Sequence, residues 1–469
     1  MATETYTDKV DKEVETQPGV VDVEEGETQP KRKALPGYSV KRGTAGVDYT
    51  LEDGVTRSGG SWSSFYLVIT AVIGSGVLSL PYSIAMLGWP GGIICLIIFS
   101  WLTLYTSQLL ADCHIVNGKR QRTYIEVVEA IMGRKHGIII AWLQQSNLVL
   151  TALAYSITST YAMQNVAISV CEGNGKTGGA CDWQFWKAMQ VFFSFIPDLD
   201  SSIWPCVVGA LMSFCYSCIS IGRAIAEGNT HGDVKGISGL STSDKTFGIM
   251  NSIGAILFAY SFSMILPEIQ DTIKSTVAGG PIKAMRRTVN WSVTVMTFFY
   301  MLVAITGYMA YGNDVAGNIL NSFVTPRWLV DTANIMVIIH LLPAYQVWSQ
   351  PFFFFLENGI PKRWPKCHKM FTGWTFRLWF RPLYVALITF LTIAMPFFSY
   401  IIGFVGAVGF WPTTVYYPVE MWIKMFEPSP RKRMWLEVIN IFCFVCSLIA
   451  LIGSVQQIVV SWTDFEFFS

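Results

Sequence analysis

Beyond residue 60 the chain is a succession of long apolar runs separated by short polar connectors. Runs of about 18–25 residues with few or no charges match the roughly 30 Å hydrocarbon core of a bilayer at 1.5 Å of rise per residue. The pattern predicts membrane-spanning helices at 63–86, 91–113, 137–168, 183–199, 203–223, 247–271, 288–311, 329–357, 382–400, 402–425 and 434–458. A buried core helix would explain any one run, but not so many in one chain. The expected fold class is an all-α polytopic membrane protein of about eleven transmembrane helices.

The connectors sort by charge. Segments 114–136, 272–287, 358–381 and 426–433 are rich in Lys and Arg, including Lys119, Arg120, Arg286, Arg287, Lys362, Arg363 and Lys432. Segments 87–90, 169–182, 312–328 and 459–469 hold few or none. Because basic residues favour the cytoplasmic side, the N-terminus is expected in the cytoplasm and the C-terminus outside. The same rule makes 183–223 two short crossings joined at Pro197-Asp198-Leu199-Asp200-Ser201. Segment 224–246, with Gly228, Gly232, Gly236 and Gly239, then becomes an external loop. Residues 1–60 are polar, acidic on balance and too poor in apolar side chains to fold alone. They read as a disordered cytoplasmic tail, 61–458 as the transmembrane domain, and 459–469 as a short extracellular tail. No basic segment precedes an apolar core near the start, so no cleaved signal peptide is expected.

Composition agrees. Of 469 residues, 52% are hydrophobic and 14% charged, against roughly 25% charged in soluble domains. The basic residues are dispersed, which argues against nucleic acid as a partner. No metal constellation or nucleophile–base pair stands out, so neither an enzyme nor a cofactor is indicated. Most cysteines lie inside apolar runs as small packing residues. Cys171 and Cys181 differ, since they flank a polar external loop where a disulfide is permitted; two free thiols are the alternative.

Two spans carry interruptions. The first reads Ile73-Gly74-Ser75-Gly76, followed by Pro81, and the glycines weaken a helix at mid-membrane. Such breaks in carriers aim half-helix amides at a carboxylate; close helix packing through small residues is the other reading. The sixth span holds Ala259-Tyr260-Ser261-Phe262-Ser263 at mid-depth and then Pro267-Glu268. First and sixth are corresponding positions in two five-helix halves, the sequence pointer to a central site. Ionisable groups in spans are functional candidates by default: Glu268 as a proton carrier or a structural ion-pair partner, and His340 as a titrating group or a hydrogen-bonded packing residue. Asn147, Tyr155 and Gln144 on the third span, and Tyr345 and Gln346 on the eighth, are polar enough to line a cavity or to tie helices together.

At these residues the sequence resembles the plant-type amino acid permeases of the amino acid/auxin permease family. The resemblance rests on Ile69–Leu80, Leu87-Gly88-Trp89, Phe258-Ala259-Tyr260-Ser261, Glu268-Ile269-Gln270-Asp271-Thr272, Ile339-His340-Leu341, Ala344-Tyr345-Gln346-Val347 and Gly409–Met421. It implies the leucine-transporter-type fold, with two inverted five-helix repeats and one extra helix. It also implies proton-driven amino acid symport at the plasma membrane. Carried over residue by residue, Ile73, Gly74, Ser75 and Gly76 would hold the substrate carboxylate, and Ala259, Tyr260 and Ser263 its ammonium. The paired external cysteines also look like this family's loop. Expected partners are an amino acid, a proton and the bilayer; the oligomeric state is not indicated. A carrier of GABA, proline or an indole acid and a low-flux amino acid sensor are alternatives, and Pro267 before Glu268 looks similar to proline and GABA-type carriers.

Overall fold

The computed structural model describes residues 57, 59–173, 203–228, 232–277, 279–359, 374–395 and 397–463. The span expected at 183–199 and its turn at 197–201 lie outside them.

Helix α1 (Ser61–Val72) starts after Gly60, whose N–H donates to Ser63 Oγ at 2.7 Å. It stops at Ile73 (φ −77°, ψ 70°), and helix α2 (Ser75–Asp112) begins one residue beyond Gly74. Helix α2 has 38 residues, more than the roughly 30 Å hydrocarbon core requires. Its backbone leaves helical geometry at Gly88 (φ 73°, ψ 168°) and splits it into the end of the first span and the whole of the second. A two-residue antiparallel ribbon follows, Ile115–Val116 with Lys119–Arg120. Asn117 and Gly118 turn it with positive φ, the Asn-Gly chemistry of tight hairpins. Thr123 then caps α3 (Tyr124–Met132) by accepting from the Glu126 N–H.

The remaining elements are α4 (Arg134–Gly173), α5 (Ile203–Glu227), α6 (Thr242–Ala259), α7 (Leu266–Asp271), α8 (Gly280–Tyr311), α9 (Arg327–Phe354), α10 (Trp374–Ala394), α11 (Phe398–Phe410), α12 (Tyr417–Phe426) and α13 (Pro430–Thr463). Eight helical stretches among the described residues are long and apolar enough to cross a membrane, and α6 through α7 counts as one of them. Side chains that would be anomalous in water fit lipid here. Trp62, Trp142, Trp204 and Trp328 are largely exposed, as are Ile441 and Ile452 along α13.

Connectors assigned to the same side by charge meet one another. Arg120 donates to the carbonyls of Gln270 and Ile273 at 2.6 and 2.8 Å, and Arg286 pairs with Asp112 at 3.6 Å. On the other side Arg327 pairs with Glu172 at 2.8 Å, and the loop before α6 packs on the Gly88 turn. There Ile237 N–H donates to the Ala85 carbonyl at 2.8 Å. Gly88 and Gly236 both have positive φ, and a Cβ on either would sit 2.5 Å from the other strand's carbonyl oxygen (that of Val234 or Ala85). Only glycine allows the two backbones this close.

Several boundaries differ from the sequence reading, among them the starts of α8 at Gly280 and of α10 at Trp374, each eight residues before the expected 288 and 382. The ninth and tenth spans part at 395–397 rather than at 401, with α10 ending at Ala394 and α11 starting at Phe398. The last helix runs to Thr463, past the expected end at 458. Residue 57, which the sequence reading placed in the tail, contacts the bundle. Arg57 is 7% exposed and bonded to α7, because a guanidinium that finds a carboxylate is held where an isolated polar tail would not be.

Candidate site at two facing helix breaks

Both expected interruptions are present, and they face each other. The first separates α1 from α2 at Ile73-Gly74. The second separates α6 from α7: the helix ends at Ala259, residues 260–262 are non-helical, and Ser263–Ile265 form one 3₁₀ turn. A Cβ on Gly76 would lie 3.1 Å from Ala259 Cα and 3.2 Å from its Cβ. The glycine is therefore what lets the second half of one broken helix lie against the other.

The two sides of the first break are satisfied differently. Ending α1 at Val72 leaves its last carbonyls without helical donors, a cost that lipid cannot relieve. Side chains relieve it. Tyr155 Oη and Trp348 Nε1 donate to the Ala71 carbonyl at 2.5 and 3.0 Å. Tyr216 Oη donates to that of Ile73 at 2.8 Å. Tyr300 Oη lies 2.9 Å from the Val72 carbonyl oxygen and 3.0 Å from that of Ala259, so one hydroxyl touches both breaks. On the amide side, Gly74 supplies no side-chain cap to α2. Among the described residues no acceptor meets the N–H groups of Ser75, Gly76 or Val77. Ser75 is fully buried and its hydroxyl has no partner there either. A half-helix N-terminus with free amides and a free buried hydroxyl is an anion-binding arrangement.

Below the second break lies a carboxylate. Glu268 Oε1 accepts from Gln144 Nε2 at 2.9 Å and from the Tyr124 N–H at 3.2 Å. The same Gln144 amide reaches the Met264 carbonyl in the 3₁₀ turn at 2.6 Å, linking Glu268 to the break. Glu268 Oε2 is buried without a partner among the described residues. One turn further, Asp271 Oδ1 receives Arg57 Nη2 at 2.9 Å and Arg120 Nε at 3.0 Å. Gly59 N–H donates to the Thr272 carbonyl, and Lys274 N–H donates back to that of Gly59, each at 2.9 Å. Outside the spans, His114 Nε2 accepts from Arg120 Nε at 3.1 Å. Burial, then the nearby Arg120 and Arg57, keep this imidazole well below the usual histidine range.

The chain matches the family model described as transmembrane amino acid transporter protein over residues 57–460. The chain belongs to this family. Amino acid permease 6 of Arabidopsis thaliana is 38% identical, covering 88% of this chain and 94% of that protein. Amino acid permease 2 of Arabidopsis thaliana is 37% identical, covering 87% and 89%. Lysine histidine transporter-like 1 of Arabidopsis thaliana is 30% identical, covering 88% and 91%. Among solved structures, MhsT in complex with L-phenylalanine superposes with a TM-score of 0.55 at 9% identity, covering 86% of this chain and 100% of that one. The transporter is thus an integral membrane permease of the plant amino acid/auxin type with the leucine-transporter-type fold. Its substrate is an amino acid, and it is not an enzyme.

The remaining candidates are spread around the site. In the transporter, Tyr155 touches the first break directly, and Tyr260 stacks edge-on against Tyr300 at 5.4 Å. Ser263 Oγ lies 3.3 Å from Ser107 Oγ on α2. Asn147 instead donates to the Val405 carbonyl at 3.1 Å, tying α4 to α11. Tyr345 packs with Ala152, Phe353, Tyr384 and Ile388 in a separate cluster of α4, α9 and α10. His340 Nδ1 lies 2.7 Å from the Gly209 carbonyl, with its ring edge-on to Tyr216 at 5.8 Å. Cys171 lies in the last turn of α4, while Cys181 lies outside the described residues. Two Cys-x-x-Cys spacings also occur, Cys215 with Cys218 and Cys443 with Cys446, all free thiols. Sequence reasoning missed Tyr216, Tyr300, Trp348, Arg57 and Arg120. The available signal was a polar-tipped aromatic within an apolar run, which when buried needs a hydrogen-bond partner.

Proposed function

We propose that this transporter imports neutral amino acids together with protons, by alternating access. The observation that carries the reading is the facing pair of breaks with free amides and a free Ser75 hydroxyl on one side. The substrate carboxylate meets the amides around Gly74, Ser75 and Gly76, next to Ile73 and Tyr155. The ammonium approaches the carbonyl side of Ala259, Tyr260 and Ser263. Glu268 is the coupling carboxylate, because Gln144 joins it to the second break and one of its oxygens is unoccupied. His340, behind Tyr216, is the second candidate for a proton. A site made largely of backbone contacts the part common to all α-amino acids, which favours breadth among neutral side chains.

We place the N-terminus in the cytoplasm and the C-terminus outside, as the basic connectors favour, in the plasma membrane that the family resemblance implies. On that orientation the Arg57–Asp271–Arg120 cluster closes the cytoplasmic side, and a Cys171–Cys181 bridge would brace the outer loop. The test is substrate-induced current in an expressing cell, recorded for the common amino acids at two external pH values. Inward current that grows on acidification supports symport; saturable uptake with no current and no response to an imposed pH gradient sinks it. Gly76→Leu, which drives a side chain into Ala259, should silence uptake at unchanged surface abundance.

A further inference from the structure

The carbonyl side of the first break is unusual in how it is satisfied. Four donors reach it, one each from α4 (Tyr155), α5 (Tyr216), α8 (Tyr300) and α9 (Trp348). All four rings are essentially buried, with exposures of 2% or less. Three consecutive carbonyls, those of Ala71, Val72 and Ile73, are each met by at least one donor. The hydroxyl of Tyr300 carries one proton and sits between carbonyl oxygens of two different breaks. The break is therefore polarised, with acceptors occupied and donors open.

We propose that Tyr155, Tyr216, Tyr300 and Trp348 are positioning residues for transport, with Tyr300 setting the spacing between the two breaks. This deepens the carrier reading above and rests on it. The physical reason is local. Unwound backbone at bilayer depth has no regular ladder to fix it, so its geometry is set by whatever bonds its orphan groups make. Four rings anchored in four packed helices fix the carbonyls of residues 71–73, and this fixes the direction of the Ser75–Val77 amides that follow. Tyr300 adds the second coordinate, the distance from those amides to Ala259. A substrate held by its carboxylate at one break and its ammonium at the other reads that distance as affinity.

The test is Tyr300→Phe, which keeps the ring and its edge contact with Tyr260 and removes only the donor. Uptake kinetics are normalised to surface abundance, with Gly76→Leu run alongside. The expected result is a KM raised about tenfold, the equivalent of one or two net hydrogen bonds, with Vmax per surface molecule nearly unchanged. Tyr216→Phe should move KM in the same direction. KM unchanged at normal abundance, or Vmax falling with abundance at constant KM, makes the hydroxyls ordinary packing groups and overturns the proposal. If Tyr300→Phe is retained inside the cell, Tyr216→Phe decides by the same two outcomes. A silent Gly76→Leu beside normal tyrosine variants removes only the positioning role; a normal Gly76→Leu removes the central-site reading itself.

Discussion

The carboxylate of Asp271 is shared by two guanidiniums, and its removal is the sharpest available test of what closes the bundle below Glu268. Asp271→Asn keeps the shape and deletes the charge. Arg57 and Arg120 have side chains only 2% exposed, so each would lose a buried carboxylate contact. Breaking a buried pair in this way costs about 3–5 kcal/mol. Here each arginine keeps carbonyl acceptors, Arg57 at Asp271 and Arg120 at Gln270 and Ile273. That places the cost at the lower end, about 3 kcal/mol, or about 150-fold in the ratio of open to closed forms. Ser64 on α1 is fully buried and serves as the reporter. A Ser64→Cys variant, with the exposed Cys218 and the cytoplasmic-connector Cys367 replaced by Ala, is labelled with a charged maleimide in inside-out vesicles. The labelling rate should rise steeply when Asp271→Asn is added. A rate that changes by less than about threefold would falsify the view that these charges hold the segment shut.

Other outcomes follow from the same geometry. Glu268→Gln should abolish accumulation driven by a pH gradient while leaving substrate exchange measurable by isotope counterflow; full gradient-driven uptake in this variant would remove Glu268 from the coupling path. His114 is held neutral in the native state, below its unfolded value, so the unfolded chain binds the extra proton. Its stabilising effect is complete above the ordinary histidine value and is lost as pH falls below it. Thermal unfolding of the purified protein should therefore be easier at about pH 5 than at about pH 7, and His114→Gln should flatten that dependence. Gly236→Ala must adopt a left-handed backbone (φ 77°) and place a methyl 2.5 Å from the Ala85 carbonyl oxygen. It should lose at least about 2 kcal/mol, read as a lowered melting temperature and poor surface expression.

Much of this was visible in the residues. The first break fell where Gly74-Ser75-Gly76 weaken a helix, and the second where small and polar residues precede Pro267. All four glycines assigned to the loop before α6 adopt positive φ. What stayed hidden depends on contacts between distant segments. Tyr300 reads as one more aromatic in an apolar run, since nothing near it in sequence shows that its hydroxyl falls between two carbonyls 228 and 41 positions away. Arg57 reads as part of a polar tail because its partner is 214 positions on. Asn147 reads as a pocket residue because an amide in lipid must bind something, and sequence alone does not say whether that is substrate or the backbone of α11. The joint between α10 and α11 was misplaced because apolar content is continuous through it.

The Gly88–Gly236 contact has a mechanical consequence when set beside the one between Gly76 and Ala259. The upper leaf of the first broken helix, residues 76–88, meets the second at both of its ends: at Ala259, and at Gly236 in the loop that leads into α6. The lower leaves, α1 and α7, are clasped through Gly59 and Thr272. These contacts predict that each pair of leaves moves as one unit. A cross-link introduced within either pair of leaves should leave turnover intact, whereas one stitched between an upper and a lower leaf should stop it.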